Sequence, residues 1–387
     1  MRSRIRITML SNTKGGVFSF TTHLTRMLTC RDCFVKIIFL SQPTKKNNEE
    51  NLEIDYLVTS KGLPNFRALA NFLFCNDSDI VHINFASFIP LALFKKLVFK
   101  TPFILTLHGL PQPYLSNAWR NKIQYLIESL MIPFAAKYAS ATVVVSNYIK
   151  RALRVRYGLD SYLIHHGINS SGGVKIENKN VAKRQLGFAE KDFIILFVGY
   201  LNPYKDPLTL IRAFHQLVHV HNSHLIIVGT GELFEEVGNT VRRLCLQNNV
   251  SLLGNISEEE LTLCYNAADI FVLSTVNEAF GIVLLEAMAH GLPIVCSASG
   301  ACPEVVGNAG LYFKQGDPTD LANSIARLMQ DRKLLQKLGQ KGFDRVNKFF
   351  SLKDEANQYW NLFRREGACQ LMHEQSPDVF PPKSEVN

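Results

Sequence analysis

Long apolar runs are missing from these 387 residues. No stretch of about 18 apolar residues occurs, so no membrane span is expected. The opening MRSRIRITML is basic, but its apolar residues alternate with arginine, as in a strand. That differs from the apolar core of a secretory leader, and a cytoplasmic location is the expectation. Paired cysteines are scarce as well. Of eight cysteines, only Cys30 and Cys33 form a C-x-x-C, and no second pair or neighbouring histidine completes a zinc set. Reduced thiols and no bound metal are expected. Acidic residues are few in the first half. Residues 1–185 carry 25 Lys and Arg against 10 Asp and Glu, or +15, while residues 186–387 carry 17 against 23, or −6. The basic half should therefore face something anionic: a membrane surface, a phosphorylated acceptor or a nucleic acid. Nucleic acid is set aside, because no basic stretch carries a recognisable reader fold or stacking platform.

What is present is a rhythm repeated twice. RIRITML (4–10), FVKIIFL (34–40), DIVHIN (79–84), PFILTL (102–107), ATVVVS (141–146) and SYLIHH (161–166) read as strands separated by helical patterns. The rhythm restarts with FIILFVG (193–199), HLIIVG (224–229), VSLLG (250–254), DIFVL (269–273), LPIVC (292–296) and GLYFK (310–314). Mostly continuous apolar runs suit strands buried on both faces of parallel sheets. Alternation with helices implies an α/β chain of two doubly wound, Rossmann-like domains, with ligands expected beyond the strands' carboxyl ends in a central cleft. The boundaries expected are 1–168 for the first domain, 169–191 for a linker and 192–351 for the second domain. Residues 352–366 should form a helix packing back across the domains, with Leu352, Ala356, Tyr359, Trp360 and Phe363 apolar on one face. Residues 367–387 read as a flexible tail.

The stretch NEAFGIVLLEAMAHGLPIV (277–295) holds two glutamates eight positions apart, Glu278 and Glu286. If 278–286 were helical, their Cα atoms would lie on the order of 12 Å apart along the axis. Glycosidase carboxyl pairs sit about 5 Å or about 6.5–9.5 Å apart, so a paired acid/base role fits poorly. About 80° around the helix separates them, so both can line one groove as binding carboxylates. The helix start near Phe280, Gly281 and Ile282 offers free N–H groups for a phosphate, and Gly281 allows close approach.

EAFGIVLLE resembles the E-x7-E motif of retaining glycosyltransferases of the GT-B fold, in the large family 4 (glycosyl transferases group 1). The likeness runs strongly through most of 190–330 and more loosely through the first half. It implies transfer of a sugar from a nucleotide-diphosphate sugar, UDP- or GDP-linked, to an acceptor hydroxyl, with no essential metal and no other cofactor. The acceptor is expected in cell-surface glycan, polysaccharide or glycolipid synthesis, as a glycan or lipid-linked molecule. Carried over from the family, Glu278 contacts the donor sugar and Glu286 the ribose hydroxyls. VGYLNPYKDP (198–207) resembles the loop whose Arg and Lys hold the diphosphate; Lys205 aligns with that Lys, whereas Tyr200 stands at the Arg position and removes one cation. By the same likeness, Gly16 in NTKGGVFSF lies near donor phosphate and acceptor, and His108 in TLHG points at the donor sugar. Gly229 and Gly231 shape a turn near the nucleotide, and Gly254 and Ile256 meet the base through backbone.

Three further features are weighed without the family. His82 in DIVHIN is read either as a residue supporting the site from behind or as core. His215 and His219 are spaced as a helical metal pair, but no carboxylate motif accompanies them and no metal is expected there. FIPLALFKKLVFKTPF (88–103) interleaves Lys95, Lys96 and Lys100 with apolar residues and reads either as a segment lying on an anionic membrane surface or as a sheet-covering helix with solvated lysines. Two other readings stay open: a GT-B epimerase or phosphorylase, and a nucleotide-sugar-binding protein with weakened turnover, for which Tyr200 is the support.

Overall fold

The computed structural model describes residues 4–12, 15–31, 33–41, 51–59, 63–75, 77–84, 86–111, 119–169, 178–218 and 222–375. The first domain is built on strands β1 (Ile5–Ser11), β2 (Cys33–Ser41), β3 (Leu52–Val58), β4 (Ile80–Ile83), β5 (Phe103–Leu107), β6 (Ala141–Val144) and β7 (Tyr162–Leu163). They run parallel in the order β3-β2-β1-β4-β5-β6-β7. Helices α1 (Gly15–Thr29), α2 (Phe66–Phe74), α3 (Ile89–Phe99), α4 (Trp119–Tyr138) and α5 (Asn147–Tyr157) connect them. The second sheet contains β8 (Phe193–Val198), β9 (Ser223–Val228), β10 (Val250–Gly254), β11 (Ile270–Leu273), β12 (Ile294–Ser297) and β13 (Gly310–Phe313), parallel in the order β10-β9-β8-β11-β12-β13. Around it lie α6 (Lys179–Gln185), α7 (Pro207–Leu217), α8 (Phe234–Arg243), α9 (Glu258–Ala267), α10 (Ile282–Ala289), α11 (Cys302–Val306), α12 (Pro318–Gln330) and α13 (Arg332–Phe349). Strand order reverses between β1 and β4 and again between β8 and β11, the switch points at which doubly wound sheets bind ligands.

The continuous apolar runs have their expected cause. On β1, Ile7 and Met9 enter one buried cluster and Leu10 the other, on opposite faces of the sheet. β3 was not among the expected strands. Its sequence LEIDYLV interleaves acids with apolar residues, because it is an edge strand. Glu53 pairs across to Lys36 of β2 at 2.9 Å.

Between the domains, the expected linker is partly helical. α6 occupies 179–185 and packs on α9, and residues 170–177 lie outside the described residues. The closing helix α14 (Leu352–Gln375) extends well past the expected end at 366. It packs back on α1, β1 and β4, and buries Ala356, Tyr359 and Phe363 in the first domain's core. Of the expected tail 367–387, residues 376–387 lie outside the described residues. The two interdomain crossings run side by side. Ile168 N–H donates to the Phe350 carbonyl at 2.9 Å and Leu352 N–H to the Ile168 carbonyl at 3.2 Å.

One surface expectation is corrected. Lys95 does not face outward: it is fully buried, with its ammonium donating to the Cys75 carbonyl and lying over the Phe72 and Phe99 rings. Burial lowers its pKa. α3 exposes Leu97 and Val98 instead, and α4 exposes Ile123, Leu126, Ile127, Leu130, Phe134 and Tyr138. At 100° per residue, those six positions span an arc of roughly 120° on α4. No helix among the described residues is long and apolar enough to cross a membrane.

Candidate active site

Loops at the carboxyl ends of the second sheet form one wall of the cleft. The loop after β8 is pinned to the end of β11. Ser274 Oγ donates to the carbonyls of Lys205 (3.0 Å) and Asp206 (2.7 Å), and Thr275 Oγ1 donates to that of Tyr204 (2.9 Å). Gly229 and Gly231 lie against this loop so closely that a Cβ would sit 2.0 Å from the Gly199 carbonyl oxygen and 2.2 Å from that of Leu201. Only glycine permits that approach. Gly254 belongs to the next loop, its carbonyl accepting from Gly229 N–H at 2.8 Å; Ile256 leans on the domain core.

Lys205, held this way, reaches across to Glu278 and forms an ion pair with its Oε2. The Glu278 backbone is fixed as well, its carbonyl accepting from Ala301 N–H at 2.8 Å. α10 begins at Ile282, within the start expected near 280–282, so Glu278 precedes the helix, only Glu286 stands on it, and the spacing worked for a helical 278–286 does not apply. Gly281 is the N-cap, with φ +88°, and no side chain caps the helix. A Cβ there would meet Leu284 Cδ1 at 2.9 Å and Glu278 Cγ at 3.2 Å. Leu284 N–H donates to the Gly281 carbonyl at 2.9 Å, which leaves the N–H groups of Ile282 and Val283 for an anion at the helix start. One turn into α10, Glu286 Oε2 accepts from Tyr265 O–H at 2.8 Å. Burial raises the Glu286 pKa, against the Tyr265 hydrogen bond. Tyr265 is itself stacked on His290, centroids 4.9 Å apart.

The first domain supplies the opposite wall. His108, just after β5, lines a cavity of about 240 Å³ with Asn84, Tyr125, Glu128 and, from the second domain, Tyr204. Its Nε2 is buried and has no protein partner, while Nδ1 lies 3.2 Å from His166 Nε2. The walls meet at the cleft floor. A Cβ on Gly109 would sit 3.5 Å from Ala279 Cβ, and one on Gly16 3.4 Å from Ile282 Cδ1. Ser146 Oγ donates to the Ala279 carbonyl at 2.7 Å. Glu304 of α11 receives Asn147 N–H (2.8 Å), Tyr148 N–H (3.1 Å) and His165 Nε2 (2.8 Å), capping α5 from the other domain.

The structure thus brings Lys205, Glu278, Gly281 and Ile282 together, sets Gly16 and His108 opposite them, and keeps Glu286 one turn away. Gly254 and Ile256 stay with the loop of Gly229. Phe280 differs from the rest, since its side chain is buried against His165, His166 and Phe350 and leaves only its backbone for a ligand. His82 is core, fully buried with Nε2 2.8 Å from Thr106 Oγ1. Tyr200, at the position of the missing cation, is 59% exposed. His219 lies outside the described residues, and among those described no cluster of three or more metal-ligating side chains occurs. Glu304, Glu355, His166, Tyr265 and Glu128 were not singled out from sequence.

Two parallel-sheet domains facing each other across a cleft, one presenting an uncapped helix start with a lysine–glutamate pair, define the GT-B architecture. The sequence model of "Glycosyl transferases group 1" matches residues 178–345, and that of "Glycosyltransferase Family 4" matches 14–171. An uncharacterized glycosyltransferase of Methanocaldococcus jannaschii is 32% identical over 174 residues, 44% of this chain and 45% of that protein, so the match spans about half of that relative's length. The N-acetyl-alpha-D-glucosaminyl L-malate synthase of Bacillus anthracis is 25% identical over 74% of each chain. Sucrose-phosphate synthase from Thermosynechococcus elongatus superposes with TM-score 0.81 at 22% identity, over 95% of this chain and 100% of that one. Anabaena HepE, in complex with UDP and glucose, gives 0.78 at 18%, over 93% and 100%. The chain belongs to glycosyltransferase family 4, the glycosyl transferases group 1.

Proposed function

We propose that the protein transfers a sugar, with retention, from a nucleotide-diphosphate sugar to an acceptor hydroxyl. The observation that carries this reading is the Lys205–Glu278 ion pair beside the start of α10, where Ala279 and Ile282 approach Gly109 and Gly16 of the first domain. Lys205 and the α10 N–H groups take the diphosphate, Glu278 and His108 the donor sugar, and Glu286 the ribose. The same cation and helix start stabilise charge as the diphosphate departs. The glutamates serve separate parts of the ligand, so front-face substitution, in which the leaving diphosphate takes the acceptor proton, is the route favoured. The UDP and glucose of HepE support a UDP-linked donor. No step is assigned to a metal or other cofactor.

The acceptor enters the cavity beside His108 and is a glycan or lipid-linked hydroxyl. An anionic membrane surface is the partner we assign to the first domain. Its support is the apolar face of α4 with exposed Lys122 and Lys137 on the same helix, together with the +15 of residues 1–185. A second reading, nucleotide-sugar binding with weakened turnover, is favoured by one observation, the exposed Tyr200 in place of an arginine. A panel of UDP- and GDP-sugars, read by thermal shift and then by nucleotide release with and without added acceptor glycosides, tests both. Acceptor-dependent release supports transfer. Binding without release in any acceptor series leaves the second reading, and no shift with any donor removes both.

A further inference from the structure

We propose that His108, His166 and Glu355 form a proton relay in which Glu355 decides whether His108 Nε2 offers the cavity an N–H or a lone pair. As a device for the reaction, the relay rests on the transfer reading above; as a chain of hydrogen bonds, it stands alone. Its three members come from three places: the end of β5, the crossing after β7, and the first turn of α14. His108 Nδ1 lies 3.2 Å from His166 Nε2, and the two ring planes are within 6° of parallel. His166 Nδ1 lies 2.9 Å from Glu355 Oε1, and Gly167 N–H donates to Glu355 Oε2 at 2.9 Å. The Glu355 side chain is only 3% exposed and that of His166 5%. At the other end, His108 Nε2 is buried and has no partner within the protein, and His108 is one of the residues lining the cavity.

This connectivity leaves two arrangements of protons with both imidazoles neutral. In the first, Glu355 carries a proton and donates to His166 Nδ1, His166 Nε2–H donates to His108 Nδ1, and His108 Nε2–H faces the cavity. In the second, Glu355 is ionised, each histidine carries its proton on Nδ1, and His108 Nε2 shows a lone pair. Conversion is balanced. A proton arriving at His108 Nε2 from a hydroxyl in the cavity sends the His108 Nδ1 proton to His166 Nε2. The His166 Nδ1 proton then passes to Glu355 Oε1. The negative charge moves from Glu355 to the hydroxyl oxygen, and only N–H and O–H bonds change.

Surroundings favour the neutral forms. Burial holds His166 at about 3 and His108 well below the usual range, and pushes Glu355 up to about 8. The groups facing the relay are His23 of α1, whose charge acts on Glu355, Tyr359 of α14, His165 beside His166, and His82 behind His108. Near neutral pH the relay therefore presents N–H to a sugar oxygen, and it reverses as pH rises through the Glu355 titration. His166 and Glu355 are positioning residues; His108 is the group that touches substrate.

Histidine-selective 15N NMR of the full chain tests this without any substrate. His108 signals are assigned from the His108→Gln spectrum. The expected result is an Nε2–H tautomer for His108 at pH 6.5 that becomes Nδ1–H by pH 9. In Glu355→Gln, whose amide donates to His166 at every pH, the switch should vanish. In His166→Asn it should vanish with Glu355 intact. One tautomer throughout in the native chain, or a switch that survives Glu355→Gln, overturns the relay. Where transfer is measurable, Glu355→Gln should also lose the alkaline fall in kcat/KM near pH 8, an effect that a purely structural glutamate would not produce. Because the NMR result needs no turnover, its failure leaves the transfer reading standing, and the absence of transfer leaves the NMR result standing.

Discussion

Substituting Glu278 by Gln should strengthen the binding of free UDP. Lys205 is salt-bridged to Glu278, so a diphosphate that draws on the same ammonium competes with that carboxylate and is repelled by its charge. Glu278 keeps its place when the ligand arrives, because its backbone is tied to Ala301. At about 7 Å in a water-like cleft, each phosphate charge costs about 0.6 kcal/mol, so two cost about 1 kcal/mol, or roughly fivefold in Kd. Lys205→Ala has the opposite sign. It removes hydrogen bonds between charged groups, worth about 1.5–3 kcal/mol, and should weaken UDP binding by roughly 10- to 100-fold while leaving uridine nearly unaffected. Isothermal calorimetry with UDP and with uridine on both variants reads the four numbers directly. Transfer should fall in both variants, since Glu278 is assigned to the sugar. If Glu278→Gln weakens UDP binding as much as Lys205→Ala does, Glu278 touches the nucleotide itself and the division of roles is wrong.

Other outcomes follow from single contacts. Tyr265→Phe removes the 2.8 Å hydrogen bond to Glu286 and should weaken uridine and UDP equally, by roughly three- to tenfold; a loss confined to UDP would move Glu286 to the phosphates. Glu355 in the folded chain holds its proton to about pH 8, so the stability it lends is full below about pH 4.5 and is lost as pH rises through about 8. Urea midpoints at pH 5 and pH 9 should therefore differ less in Glu355→Gln than in the native chain, and equal differences would contradict the assigned direction. Leu130→Gln with Phe134→Gln on α4 should abolish sedimentation with phosphatidylglycerol vesicles, and native binding should fall as salt rises; equal binding to neutral vesicles would refute an electrostatic contribution. Gly167→Ala would place a Cβ 2.4 Å from the Ser351 carbonyl oxygen and should lower the melting temperature by several degrees, whereas an unchanged value would mean that the crossing yields freely.

The second domain was legible in outline because each of its strands is buried on both faces and shows as an unbroken apolar run, from FIILFV to GLYF. Glu278 and Glu286 were legible for a different reason, the motif around them. β3 was hidden by its position, since an edge strand carries acids such as Glu53 that a central strand would not tolerate. The helix start near Gly281 was legible from the glycine, whereas its φ of +88°, which leaves Glu278 on the preceding loop rather than at a helical spacing from Glu286, was not. Lys95 misled as well. A lysine in an apolar segment reads as exposed unless its partner, here a carbonyl twenty positions earlier, is known. Several of the residues not foreseen belong to pairs joined over long separations: His166 with Glu355 across 189 positions, and Asn147 with Glu304 across 157. No periodicity encodes such pairs; they exist only once the topology has been drawn.

That topology also explains why the relay sits where it does. Since α14 completes the first domain's core, the chain must pass between domains twice, and the passages pair through Ile168, Phe350 and Leu352. Glu355 stands one turn beyond the second passage, and His166 and Gly167 lie within the first. The Gly167 N–H that secures Glu355 Oε2 is therefore part of the crossing itself. Phe280 of the second domain packs edge-on against His166, with centroids 5.1 Å apart, and Phe280 immediately precedes Gly281, the N-cap of α10. The ring of His166 thus meets the second domain through Phe280, and its neighbour Gly167 holds Glu355 of the returning passage.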